Sequence, residues 1–363
     1  MSDNRVYNFA AGPSMMPEAV LKRAGEEICN FRGTGMSVME MSHRSPAFAD
    51  IFKETKQKLR DALSIPDNYA ILMLQGGATL QFSSIPLNFM GEKRVADYAV
   101  TGNFSGIAAR QARKYGTVNI ACDTSDEDHS YIPDNSSLKL TPGASYFHYC
   151  ANNTIYGTEW QYVPETNGVP IACDMSSDIL SKPIDVSRYG LIYAGAQKNM
   201  APAGLTVVIV DKSLAGHQMN ICPDVMSYDT LIKKDSMLNT PPCWCIYMLS
   251  LMLDWLESIG GVNAMAQIKK ERSKIVYDVL DESKLYIPHA RRDCRSDMNV
   301  TFRTPSDELD AEFVKGAAER GMVNLKGHRL TGGIRASLYN AMPIEGAKAL
   351  AEYMKDFEAK HHV

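Results

Sequence analysis

Nothing in this chain approaches the ~20 consecutive apolar residues that a membrane-spanning helix requires. No membrane partner is expected. The opening stretch MSDNRVYNFAAG lacks the apolar core of a secretory signal, so a cytoplasmic protein is expected. Neither GxGxxG nor GxxxxGK(S/T) occurs, which removes the glycine-rich signatures of a nucleotide-binding module. The eight cysteines, at 29, 122, 150, 173, 222, 243, 245 and 294, form no CxxC pair and no Cys/His zinc spacing. They are expected to be reduced thiols, and no metal is expected. Cys243 and Cys245 flank a tryptophan in a helical stretch, where residues two apart do not face each other. Net charge is −4, too small and of the wrong sign to attract nucleic acid. Repeats and low-complexity tracts are absent.

What is present is an ordinary globular composition, 45% hydrophobic and 22% charged, over 363 residues, enough for two domains. Apolar or β-branched runs recur at 70–74, 95–100, 117–121, 145–149, 169–174, 191–194 and 205–210. Helical patterns lie between them, at 17–32, 48–63, 80–88 and 104–115. This alternation predicts an α/β fold with a large, mainly parallel sheet. After Gly260-Gly261 the pattern changes. An apolar helix over 244–259 is followed by a long one over 262–281 with KKER on its polar face. Strand 298–303, helix 307–320, strand 334–339 and helix 344–360 then predict a smaller α+β domain. The expected units are 16–261 and 262–363.

The chemistry concentrates in 191–210, LIYAGAQKNMAPAGLTVVIV. A core strand delivers Lys198 between glycine turns, with few charges nearby. Burial disfavours the ammonium form, and a neutral amine attacks aldehydes to form a Schiff base. Taken alone, Lys198 reads equally as a solvated strand-edge lysine. A second strand end changes the balance: VPIACDMSS carries a single formal charge, Asp174. Pyridoxal phosphate needs one lysine for its aldehyde and one acid for its pyridine nitrogen. Two adjacent strand ends of an open parallel sheet reach a common crevice. Gln75-Gly76-Gly77-Ala78-Thr79 opens a helix after a strand, which suits a phosphate. Two His-Arg pairs, His43-Arg44 and His328-Arg329, lie in small-residue loops. With Arg335 they are candidate anion binders, because guanidinium holds carboxylate and phosphate bidentately. Arg291, Arg292 and Arg295 read as solvated charges.

These segments, with YNFAAGPSMMPEAVL, MSVMEMSHRS, LNTPPCWCIYMLSLMLDWL and LKGHRLTGGIRASLYNAMP, resemble the phosphoserine aminotransferase family. That family belongs to the class V, fold-type I pyridoxal phosphate aminotransferases. The similarity runs along essentially the whole chain in the family's order. It implies a large cofactor domain, a smaller C-terminal domain packed with the N-terminal segment 1–15, and a homodimer with shared active sites. The implied substrates are L-glutamate, 2-oxoglutarate, 3-phosphohydroxypyruvate and O-phospho-L-serine. Whether a second phosphorylated substrate, in pyridoxine synthesis, is used stays open. Lys198 and Asp174 take the catalytic positions. Ala78, Thr79 and Gln197 match phosphate contacts, and Phe104 matches an aromatic on the pyridine ring that is often tryptophan. Thr154 matches a partner of the 3′ oxygen. Asn239 and Thr240 match the pair that reaches the phosphate from the neighbouring subunit. Arg335 would hold the α-carboxylate, with His43, Arg44, His328 and Arg329 around the distal anion. The chain departs from relatives that carry an arginine in the 75–79 turn.

Overall fold

A computed structural model describes residues 5–361; the outermost residues of the expected domain boundaries, 1–4 and 362–363, lie outside it. The chain begins with β1 (Tyr7–Asn8), α1 (Glu18–Glu27) and α2 (Pro46–Leu63). Then come β2 (Tyr69–Leu74), α3 (Gly77–Phe89), β3 (Val95–Val100), α4 (Asn103–Ala112) and β4 (Thr117–Asp123). The centre holds β5 (Phe147–Cys150), β6 (Asn152–Asn153), β7 (Thr158–Glu159), β8 (Ile171–Asp174), β9 (Leu191–Gly195) and β10 (Thr206–Asp211). Three helices follow, α5 (Tyr228–Lys233), α6 (Cys243–Ser258) and α7 (Gly261–Glu282). The last elements are β11 (Ile287–Pro288), β12 (Asn299–Arg303), α8 (Asp307–Glu319), β13 (Met322–Val323), β14 (Ile334–Ser337) and α9 (Ile344–Lys360).

Seven strands form one sheet in the order β2-β10-β9-β8-β5-β3-β4. Strand β10 runs antiparallel to both β2 and β9, and the remaining pairs are parallel. Strands β2, β3, β5, β8 and β9 therefore all point the same way, and their carboxyl ends share one edge. Apart from the edge strand β4, these strands are buried on both faces, with α3 and α4 on one side and α2 and α6 on the other. Such two-sided burial suppresses alternation in sequence. Helix α2 starts two residues earlier than its apolar pattern suggests. Ser45 Oγ accepts the Phe48 N–H at 3.3 Å and Pro46 fills the first turn.

A second core gathers Val276, Phe302, Phe313, Ile334 and Met354 around the three-stranded sheet β11-β12-β14. Phe9 and Met15 join it, and β1 pairs in parallel with β13 through Tyr7↔Met322. Among the described residues no single helix is long and apolar enough to cross a membrane. Helices α6 and α7 pass that test only jointly and are bent by 78°.

Helix α7 corrects the sequence reading. Lys269 is 2% exposed and Arg272 0%, whereas Lys270 and Glu271 face solvent. Met265, Lys269, Arg272 and Val276 form one stripe at helical spacing, so the KKER run is split between faces. Lys269 is held by Glu159 and Asp297, each at 3.4 Å, and Arg272 by the carbonyls of Asn340 and Met342. Arg295 is also no solvated charge. Its side chain is 12% exposed, pairs with Asp281 at 2.8 Å and lies over Tyr277. Arg291 pairs with Glu127, and Arg292 with Asp281 at 3.2 Å.

Candidate active site

Asp174 closes β8, in register with Cys150 on β5 and Tyr193 on β9. It is buried, and its Oδ1 accepts the Ser176 N–H at 2.8 Å. No donor among the described residues is bonded to Oδ2. Ser176 Oγ in turn accepts the Gly195 N–H at 2.9 Å, which ties the Asp174 turn to the strand that delivers the lysine. Beneath, the Tyr193 hydroxyl meets His148 Nε2 at 2.9 Å. Burial pushes His148 down to about 3, so that floor is uncharged at neutral pH.

Lys198 follows β9 by three residues and is half-buried. Its Nζ donates to Thr154 Oγ1 at 2.6 Å and sits 5.5 Å from the centre of the Phe104 ring. Desolvation lowers its pKa from the ordinary lysine value, against the opposing pull of Asp174; Arg335 pushes the same way as burial. The solvated-lysine reading therefore fails. Residues of the N-terminal segment cover the lysine. Ser14 N–H donates to the Gln197 carbonyl at 3.0 Å, and Ser14 Oγ donates to the Lys198 carbonyl. Gly12, at φ +134°, packs so close that a Cβ would lie 3.3 Å from Lys198 Cγ.

Phe104 occupies the first turn of α4 and is 38% exposed, so it is not a core aromatic. Its helix is seated by Gly102, where a Cβ would fall 2.6 Å from Asn153 Oδ1. That amide is committed to Thr101 and Thr158 at 3.2 and 3.0 Å. Thr154 is buried at the end of the same segment. At the end of β2, Gly76 (φ +92°) and Gly77 (φ +67°) make the turn that opens α3. Ala78 and Thr79 lie in the first helical turn, whose amides have no intrahelical acceptor. Thr79 is exposed. Asn239 Nδ2 donates to Gln75 Oε1 of its own chain at 2.8 Å, beside this turn, and Thr240 is exposed.

Arg335 stands on β14 and reaches the Thr154 carbonyl at 3.4 Å. The loop before it is drawn tight. Gly327 N–H donates to the Gly333 carbonyl at 2.8 Å, and the His328 carbonyl accepts from Thr331 and Gly332. His328 is half-buried and Arg329 exposed. Burial lowers His328 from its ordinary value, with Arg335 and Arg329 adding repulsion, so the loop is poised to receive negative charge. Lys198, Asp174, Thr154, Phe104, Arg335 and His328 thus converge. Among the described residues no hydrogen bond ties His43 or Arg44 to this cluster; Arg44 N–H donates locally, to Ser42 Oγ at 3.3 Å.

The donor set fits pyridoxal phosphate. A depressed amine, a carboxylate with one unbonded oxygen, an exposed phenyl ring and a row of helix-end amides occupy the carboxyl ends of β9, β8, β3 and β2. That edge is where ligands bind in such sheets. A cleft of about 870 Å³ lies elsewhere, lined by Met90, Arg94, Ser145, Pro170 and His217, and includes none of these residues. Sequence reading missed Ser14 and Ser176. For Ser176 a signal existed, since Asp followed two residues on by a free N–H is an Asx-turn pattern. Ser14 had none, because its partner lies 184 residues away.

The family profile "Aminotransferase class-V" matches residues 6–350. The phosphoserine aminotransferase of Pseudomonas aeruginosa is 48% identical over 357 residues, covering 98% of this chain and 99% of that protein. The solved phosphoserine aminotransferase from Bacillus circulans subsp. alkalophilus superposes with a TM-score of 0.97 at 41% identity, over 99% of this chain and 100% of that one. The structure described as PLP-bound phosphoserine aminotransferase from Trichomonas vaginalis gives 0.93 at 39% identity, over 97% and 100%.

Proposed function

This chain belongs to the class V aminotransferases, and we propose that it moves an amino group reversibly from L-glutamate to 3-phosphohydroxypyruvate, giving 2-oxoglutarate and O-phospho-L-serine in serine biosynthesis. The observation that carries this reading is the convergence of Lys198, Asp174 and Phe104 at one sheet edge with Arg335 and His328 facing them. Bound pyridoxal 5′-phosphate supplies the aldehyde and the ring that delocalises charge.

The chain's own residues do the rest. Lys198 holds the cofactor and carries a proton at Nζ, a role its lowered pKa supports. Asp174 keeps a proton on the pyridine nitrogen, and Phe104 covers one face of the ring. Thr154 hydrogen-bonds the 3′ oxygen. Ala78, Thr79 and Gln197 hold the phosphate, with Asn239 and Thr240 of the second subunit of a homodimer completing the cradle. Arg335 takes the α-carboxylate. His328 and Arg329, with His43 and Arg44, take the distal carboxylate or phosphate. Residues 16–261 make the cofactor unit, and 262–363 with 1–15 the smaller one. The enzyme works in the cytoplasm.

The test is kcat/KM for phosphoserine, serine and glutamate in the wild type, Arg44→Ala and Arg329→Ala. Charge-assisted bonds are strong, so each loss should reduce phosphoserine turnover roughly 10–100-fold. Glutamate should lose less and serine least. Equal losses for phosphoserine and serine would mean that these arginines do not read phosphate.

A further inference from the structure

One buried carboxamide touches three segments that carry the site. Asn199 directly follows Lys198 and is 3% exposed. Its Nδ2 donates to the carbonyls of Ser177 and Ile179 at 3.3 and 3.2 Å. Both belong to the turn that leaves Asp174. Its Oδ1 accepts the Asn340 N–H at 3.0 Å. Asn340 lies five residues beyond Arg335, where β14 leaves the small sheet. A second amide strengthens the junction: Asn340 Nδ2 donates to the Leu180 carbonyl at 2.9 Å. From the opposite side, the carbonyls of Asn340 and Met342 are gripped by buried Arg272 of α7.

We propose that Asn199 is a positioning residue for transamination. It fixes the Lys198 backbone, the Asp174 turn and the Arg335 strand in one mutual geometry. The inference rests on the roles given above to those three residues. The physical reasoning is direct. Lys198 lies between two anchors, Ser14 on its own carbonyl and Asn199 one residue on. Adjacent Cα atoms are only ~3.8 Å apart, so a change in the Asn199 backbone is passed to the lysine. The Ser177 and Ile179 carbonyls and the Asn340 N–H lie outside regular strands and helices, and a buried group left unbonded is costly. Without the amide the three segments relax independently, and a misplacement near 1 Å lowers catalysis roughly 100-fold. An ordinary packing asparagine would affect stability alone.

The experiment uses the holoenzyme. Wild type is first shown to carry cofactor on Lys198 and to turn over phosphoserine; failure there would defeat the functional reading, not this one. Asn199→Ala is then compared with Tyr286→Phe, which deletes a buried bond to the Met354 carbonyl in the small core, remote from the site. Thermal midpoints should fall in both. Only Asn199→Ala should shift the pH midpoint of the bound cofactor's absorbance, by about half a unit or more, and lower kcat/KM for phosphoserine roughly 10–100-fold. Should the alanine variant fail to fold, Asn199→Ser, which retains a hydroxyl for one of the three bonds, takes its place. Wild-type titration and kinetics in the folded variant, with only the thermal midpoint lowered, would overturn the proposal.

Discussion

At the scale of single residues, the site is an arrangement of charges whose surroundings decide their state. Desolvation lowers the Lys198 pKa and Asp174 raises it. The free amine should therefore capture pyridoxal phosphate with a pH midpoint below 10.5. Asp174→Asn removes the opposing pull, so the midpoint should move lower still while the fold is kept. Stopped-flow capture rates across pH, measured on both apoproteins, read this directly; a midpoint that rises in the variant would refute the electrostatic account. Gly102 offers a steric counterpart. Its Cβ would press on an Asn153 amide already bonded twice, so Gly102→Ala should destabilise by about 1–3 kcal/mol in urea unfolding. Lys198 and Asp174 were legible because each is a lone charge closing an apolar run. Ser14 and Asn199 were not, since their value lies in partners distant along the chain.

Among elements, the strands of the main sheet other than the edge strand β4 were legible because burial on both faces turns them into continuous apolar runs. The short strands β1, β6, β7, β11 and β13 were not, being two residues each and defined by their partners. Helix α7 was located correctly and oriented wrongly. Periodicity assigns charged residues to solvent, yet Lys269 and Arg272 lie where Glu159, Asp297 and the 340–342 carbonyls await them. Removing one member of a buried pair strands the other. Lys269→Ala should cost about 3–5 kcal/mol, towards the lower end because Lys182 still contacts Glu159 at 2.5 Å. The double change Lys269→Met with Glu159→Leu should recover part of that loss. Urea midpoints of the wild type and the two variants decide the matter, and a double variant no more stable than the single one would count against the pairing.

Across the whole molecule, the same buried charges join the Asp174 turn to α7. Burial raises Asp178 to about 7, although Lys182 and Lys269 oppose it while Glu159 and Asp174 add repulsion. A carboxyl whose folded pKa exceeds its unfolded value of 3.8 subtracts stability as pH rises from 3.8 through about 7. Asp178→Asn should accordingly gain most stability relative to wild type at pH 8, clearly less at pH 5 and little below the unfolded value of 3.8; an equal gain at pH 8 and pH 5 would show that Asp178 is already ionised at pH 5. The proposed dimer is the part of the account least visible in one chain, because among the described residues no hydrogen bond ties His43 or Arg44 to the Lys198 cluster. Mixing Lys198→Ala with Thr240→Ala subunits leaves one intact site per mixed dimer if sites are shared. Activity should then exceed that of either parent.

The central claim is that Lys198, and no other lysine, bears the cofactor. Borohydride reduction of the holoenzyme, proteolysis and mass spectrometry of the peptides address it in one measurement. The account predicts a single pyridoxyl adduct, on the peptide containing Gln197-Lys198-Asn199. An adduct on any other lysine, or none on this one while the enzyme transaminates phosphoserine, would contradict it.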